Sequence, residues 1–259
     1  MSLCNPLFLS DWRALILAAG FGTRLLPLTE RLPKPLVPVA GVPMLALTLN
    51  RFRRLKPRIM VVNGHHLAVQ VESFLEEHST GFQKLKYLYE PLILDTGGAV
   101  RNAARYLRGP FFVTSNADAV NDIALLPAVA RHLRQGSLVT MLLHDREPYN
   151  QVEVDASGRI VGFALPPKAS ANRLLAYTGI QICSPVLLDL MAREAPGRPF
   201  PLIPFYRRLL AAGRTDLAAY VVDTRDRYYW RDLGTPEDLA AVEADLKNRC
   251  GLAARLGVV

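Results

Sequence analysis

The stretch Leu15–Val39, LILAAGFGTRLLPLTERLPKPLVPV, constrains the fold more than any other part of the chain. Leu15-Ile16-Leu17 reads as a short buried strand, and it runs into a turn that carries Gly20 and Gly22. Glycines there let the backbone bend close to a bulky anion and aim its N–H groups at it. Arg24 adds a forked donor beside them. No Lys-Ser/Thr follows a second glycine at the Walker spacing, and Leu25 stands where a dinucleotide fingerprint needs its third glycine, so both of those phosphate loops are excluded. Lys34 lies between Pro33 and Pro35, whose rings stiffen the backbone on either side of a flexible ammonium. A phosphate clamp at the end of a strand is the expectation.

The rest of the first half alternates strands with helices. Ile59–Val62, closed by Asn63-Gly64, is a second buried strand; between the two, a helix starts at Pro43, carries Leu45, Leu49 and Phe52 on one face and ends at Arg53-Arg54. Leu67, Val71, Phe74 and Leu75 mark another helix. Strands follow at 85–88, 111–114 and 138–143, with helices at 98–107 and 125–133, which predicts a parallel sheet covered on both faces. Past Asp145 the rhythm changes. Val152–Val154 and Arg159–Phe163 read as a hairpin, Leu174–Cys183 as a longer strand, then helices at 201–212 and 235–248 and strands at 217–222 and 228–231, so the sheet becomes mixed.

Composition narrows the class. The 259 residues are 50% hydrophobic and 21% charged, ordinary for a globular protein, and no apolar run reaches the roughly 20 residues that cross a bilayer. Residues 1–12 lack the basic start and small-residue cleavage site of a secretory signal, and Cys4, Cys183 and Cys250 are too few and scattered for a disulfide framework or metal knuckle. A reducing, cytoplasmic setting without a membrane partner is expected. The net charge of +8 favours anionic partners. The basic run Arg51–Arg58 sits at a helix end, where it reads as a solvated complement to the dipole rather than a nucleic-acid site. His65-His66 reads as a pair of surface histidines, since no third metal ligand is suitably spaced.

The Gly-x-Gly-Thr-Arg turn (Gly20, Phe21, Gly22, Thr23, Arg24) followed by Pro33-Lys34-Pro35 resembles the signature of the sugar-1-phosphate nucleotidyltransferases, or nucleotide-sugar pyrophosphorylases. The likeness covers nearly the whole chain. Thr96-Gly97-Gly98-Ala99 resembles the family's nucleoside loop and Asn116-Ala117-Asp118 its metal motif. Tyr177-Thr178-Gly179-Ile180 resembles the sugar-side strand, and Trp230–Thr235 the motif with the second metal ligand. Within the family the chain is most similar to the short bacterial N-acetylmuramate-1-phosphate uridylyltransferases. The resemblance implies an α/β, three-layer Rossmann-like nucleotidyltransferase domain with a mostly parallel mixed sheet. It would occupy residues 1–259 as one domain: extension 1–12, nucleotide-binding half 13–145, sugar-binding half 146–248 and tail 249–259.

It further implies Arg24 and Lys34 as catalytic residues, and a nucleotide site of Ala18, Ala19, Gly20, Gly22, Thr23, Asn63, Thr96, Gly97, Gly98 and Asn116. Asn150, Glu153, Thr178 and Gly179 would meet the sugar, and Asp118 and Asp232 would ligate Mg²⁺. Gly97 and Gly98 would let the backbone approach base and ribose. UTP is the favoured donor, with dTTP or GTP as alternatives, a sugar 1-phosphate is the acceptor, and the oligomeric state is left open. Ala117 replaces a usual glycine, Asn150 takes the place of another, and Ala164-Leu165-Pro166-Pro167-Lys168 stands where the family has Glu-Lys-Pro, leaving Lys168 or another group to hold the sugar phosphate. A glycosyltransferase of related architecture and a catalytically silent nucleotide-sugar-binding regulator remain alternatives; pyrophosphate release separates all three.

Overall fold

A computed structural model describes residues 11–163, 172–194, 197–225 and 227–258. The expectations placed on residues 1–10, Cys4 among them, and on Ala164–Lys168 lie outside the described residues. At the centre of a nine-stranded sheet runs β1 (Arg13–Leu17), parallel to β4 (Ile59–Gly64) on one side and β6 (Phe112–Asn116) on the other, with β5 (Leu85–Tyr89) parallel beyond β4. On the far side of β6 the long β11 (Arg173–Cys183) is antiparallel; it also pairs with β8 (Val139–His144), and β12 (Leu217–Val221) joins β8 in parallel. The hairpin β9 (Val152–Val154) and β10 (Ile160–Phe163) extends the start of β11. The sheet therefore runs through both halves of the chain.

Both faces are buried, as a parallel centre requires. Successive side chains of a strand point to opposite faces, and here Leu15 and Val61 enter one apolar cluster while Ala14, Ile16, Met60 and Val62 enter the other. The second cluster is closed by α1 (Met44–Leu55), α2 (Ala68–Glu77) and α5 (Leu126–Gln135), through residues such as Leu45, Phe52, Val71 and Val129. The first is closed by α3 (Asp95–Asn102), α4 (Ala104–Leu107), α6 (Val186–Met191) and α7 (Leu202–Ala211). A third cluster joins Leu25, Val37 and Val39 to Val120, Tyr229, Leu233 and Val242. It fastens the segment after β1 to a separate antiparallel ribbon of β7 (Ala119–Asn121) and β13 (Trp230–Asp232), and to α8 (Pro236–Asn248) and α9 (Leu252–Leu256). The remaining ribbon is β2 (Pro38–Val39) with β3 (Val42–Pro43).

Several local expectations are corrected. The helix expected at 98–107 begins at Asp95 and is divided at Ala103, so Thr96-Gly97-Gly98 forms the first turn of α3 instead of a loop. Helices α6 and α9 were not anticipated; at six and five residues they are too short to show a helical period. Arg51 is half-buried and bonded within the protein rather than simply solvated. Its guanidinium donates to the Ile123 carbonyl at 2.7 Å, and burial lowers its pKa to about 10 against the opposing pull of Asp122. Arg53 is tied down too, donating to the carbonyls of Thr80 at 2.9 Å and His78 at 3.0 Å. The helix end thus spends part of its charge on tertiary contacts.

His132 and His144 are buried, and burial pulls both down to about 4. Unfolded imidazoles take up a proton near pH 6.5, so the unfolded chain binds more protons than the native one between these values. Stability is therefore expected to fall as pH drops from about 6.5, by up to about 1.4 kcal/mol per pH unit for each histidine. Urea unfolding between pH 6.5 and 5 checks this: His132→Gln should roughly halve the slope that the two imidazoles produce, and an unchanged slope would count against it.

Candidate active site

Beyond Leu17 the chain leaves the sheet as a loop held at several points. The Ala18 N–H donates to Asn63 Oδ1 at 2.8 Å, and the Thr29 hydroxyl donates to the Gly22 carbonyl at 2.9 Å. Gly22 has φ +69°, and a Cβ there would lie 2.9 Å from both Lys34 Cβ and Thr29 Cγ2, so only glycine fits. At Gly20 a Cβ would meet nothing within 4 Å, which leaves the backbone open to the cleft. Thr23 and Arg24 form a short 3-10 turn, and the third such turn of this segment, after Pro33, carries Lys34 inward until its side chain is largely buried.

Lys34 Nζ donates to Asp118 Oδ2 at 2.5 Å, while Arg24 Nη2 stands 3.7 Å from Asp232 Oδ2. The two acids meet through the small ribbon: Asp232 of β13 is paired with Ala119 of β7, and the Leu233 N–H donates to the Asp118 carbonyl at 2.8 Å. Their convergence comes from this antiparallel pairing, and only Asp118 follows a strand of the main sheet. Burial, and after it the negative charge of Asp118, raises the Asp232 pKa, against the pull of Lys34 and Arg24. Two hard oxygen donors suit Mg²⁺, which usually takes only one or two protein carboxylates and fills its other positions with water and phosphate oxygens. The residues present fit the ion. Among the described residues no cluster of three His, Cys, Asp or Glu offers a fuller cage.

Beside the acid pair opens a cavity of about 270 Å³, bounded by Ala19-Gly20, Asn63, Asp95-Thr96, Asn116 and Asp118. It brings together six residues singled out in the sequence, from four separate segments. Glu90 also lines it and was missed: it accepts from Asn63 Nδ2 at 2.8 Å and from the Leu94 N–H at 3.2 Å, and burial raises its pKa. A carboxylate directly after β5, at the carboxyl edge of a parallel sheet, was the available signal. Asp95 was missed as well. It has φ +60°, and its Oδ1 accepts the Thr96 N–H at 2.6 Å.

Gly97 and Gly98 pack closely against residue 200. Their N–H groups donate to the Phe200 carbonyl at 2.9 and 3.1 Å, and a Cβ on Gly97 would come within 2.4 Å of the Phe200 ring. They let α3 pack under residue 200, with both amides bonded within the protein. On the sugar side, β11 shifts register between Tyr177 and Gln181, and Gly179 (φ +83°) makes room for the Asn116 side chain. The Thr178 hydroxyl is buried and donates to the Leu142 carbonyl at 2.8 Å, while its own carbonyl accepts from Trp230 Nε1 at 2.8 Å. Asn150 is a loop tie: its amide donates to Asp145 at 2.8 Å and Glu147 at 3.0 Å and accepts the Arg146 N–H at 2.9 Å. Glu153 accepts from Asn172 Nδ2 at 2.9 Å on the β9–β10 hairpin. The side chains of Thr178 and Asn150 are thus engaged within the protein.

From this packing, Gly97→Ala is expected to destabilise the protein by about 1–3 kcal/mol through overpacking against Phe200. Chemical denaturation measures the loss, and a wild-type midpoint would contradict the assignment.

Residues 13–249 match the family described as nucleotidyl transferase. Mannose-1-phosphate guanylyltransferase of Mycobacterium tuberculosis is 31% identical over 242 residues, covering 90% of this chain and 64% of that protein. N-acetylmuramate alpha-1-phosphate uridylyltransferase of Caulobacter vibrioides is 32% identical over 247 residues, covering 90% of this chain and 96% of that one. The chain thus spans just under two thirds of the first relative and nearly all of the second. The crystal structure of a putative glucose-1-phosphate thymidylyltransferase from Bacillus anthracis shares the fold, with a TM-score of 0.77 at 19% identity over 95% of this chain and 99% of that one. The family match covers the phosphate loop, both acids and the strands that deliver them, and the chain belongs to the nucleotidyl transferase family.

Proposed function

We propose that the cleft transfers a nucleotidyl group from a nucleoside triphosphate to a sugar 1-phosphate, giving a nucleotide sugar and pyrophosphate. The observation that carries this is the paired arrangement of Lys34 on Asp118 and Arg24 near Asp232 at the edge of a nucleotide-sized cavity. An oxygen of the sugar phosphate bonds to the α-phosphorus as the bond to the β-phosphate oxygen breaks, and the electron pair leaves on pyrophosphate. The nucleophile is already ionised, so the site has to neutralise charge more than move protons. Lys34 and Arg24 supply positive charge where negative charge develops on the leaving pyrophosphate. The backbone of Ala19 and Gly20, with Asn63, Thr96 and Asn116, surrounds the nucleoside. Asp118 and Asp232 would hold Mg²⁺, which when bound screens the repulsion between the two anionic substrates.

Of the two relatives named above one is a guanylyltransferase and the other a uridylyltransferase, and UTP is the favoured donor because the uridylyltransferase is the one matched over nearly its whole length. Small anions account for the net charge of +8 without invoking nucleic acid. No helix among the described residues is long and apolar enough to cross a membrane. Cys183 and Cys250 are free thiols, which suits a reducing cytoplasm.

Pyrophosphate release, read for each of UTP, GTP, dTTP and ATP with a panel of sugar 1-phosphates and Mg²⁺, tests the reading. Nucleotide binding without turnover would support a silent regulator, and sugar transfer from a nucleotide sugar without pyrophosphate a glycosyltransferase. Lys34→Ala is expected to lower kcat by roughly 10²–10³ while changing NTP affinity much less; an unchanged kcat would remove Lys34 from the chemistry. Asp118→Asn and Asp232→Asn should each abolish most activity, with the double variant hardly worse, and EDTA should do the same. Additive losses, or activity in EDTA, would contradict a shared cation.

A further inference from the structure

The end of β4 and the turn that leads from it into α2, residues 63–67, touch both sides of the nucleotide cavity. Asn63 bonds the phosphate loop at the Ala18 N–H and the opposite loop at Glu90 Oε1, each at 2.8 Å. The two histidines that follow do the same from outside the cleft. His65 Nδ1 is 2.7 Å from the Glu90 carbonyl, and His66 Nε2 is 2.8 Å from the Thr29 carbonyl. Carbonyl oxygens only accept, so the hydrogen must sit on Nδ1 of His65 and on Nε2 of His66. Leu67, at φ +50°, then leads the chain into α2.

Phe21 completes the contact. Flanked by Gly20 and Gly22, it is 49% exposed, and its ring lies edge-on to His65 at 5.3 Å and 5.8 Å from His66. A loop with two glycines loses more conformational freedom on ordering than most. Fastening its one bulky side chain to imidazoles that are themselves bonded to the protein removes that cost before a ligand arrives.

We propose that His65 and His66 are positioning residues that set the spacing between the phosphate loop and the loop at residues 90–94 that leads into α3, an inference that rests on the cleft being the triphosphate site. A nucleoside triphosphate spans both loops, so a fixed spacing strengthens its binding, whereas the sugar phosphate does not touch this strut.

The two histidines use different nitrogens, which makes the test specific. An Asn amide nitrogen stands at the Nδ1 position and a Gln amide nitrogen near the Nε2 position. His65→Asn and His66→Gln should therefore keep the wild-type Kd for UTP or GTP, whichever the wild type binds, within about twofold. His65→Gln, His66→Asn and both alanine variants should weaken it by roughly five- to tenfold, the scale of one lost net hydrogen bond. In the same variants the KM for the sugar 1-phosphate should not change, with N-acetylmuramate 1-phosphate and mannose 1-phosphate as probes. Calorimetry, steady-state kinetics and the thermal transition provide the readouts. Asn and Gln behaving alike at each position, or affinity falling only in step with Tm, would overturn the proposal. A wild type that binds neither nucleotide would remove the triphosphate reading itself, and this inference with it.

Discussion

Four charges in one cleft govern this molecule. Two carboxylates approach closely enough that the charge of Asp118 raises the pKa of Asp232, and each has a cation as neighbour, Lys34 at 2.5 Å and Arg24 at 3.7 Å. Such a cluster is tolerable only while the signs alternate: removing a cation leaves acids repelling in a partly desolvated place, and removing an acid leaves a largely buried ammonium alone. The same alternation suits a reaction between two anions. In the proposed reaction the positive charge would meet phosphates and the acids would hold a divalent cation.

Holding these groups together falls to parts of the fold outside the main sheet. Arg24 and Lys34 ride on 3-10 turns after β1, Asp118 follows β6, and Asp232 ends β13. The β7–β13 ribbon and the third apolar cluster draw them into one place, since Leu25 and Val37 from the first segment pack with Val120 and Leu233 from the other two. Burial of these few aliphatic side chains therefore fixes the electrostatics, because a small shift of the ribbon would change both ion-pair distances.

The same glycine-rich chemistry is used twice for different ends. Gly20 leaves backbone open to the cleft, whereas Gly97 and Gly98 permit a helix to pack beneath Phe200. In the sequence the two look alike, because a missing Cβ shows that something approaches closely but not whether it is ligand or protein. Histidines 65 and 66 carry a similar ambiguity. Their spacing rules out a shared metal, but the carbonyls they bond, at Thr29 and Glu90, are distant in sequence.

What the sequence determined by itself was local. The β1 turn, the proline-flanked Lys34, the alternation of strands and helices and the hairpin at 152–163 are legible because turn chemistry and side-chain period act over a few residues. The family resemblance added the acids and the reaction class. Tertiary structure decided everything that depends on contacts between distant segments: the burial of Arg51 against Ile123, the Glu90–Asn63 bond, the use of Thr178 and Asn150 as internal ties, and the ribbon that joins Asp118 to Asp232. A hydrogen-bonding or charged side chain has many partners it can satisfy, and only the packed chain selects which one lies within reach.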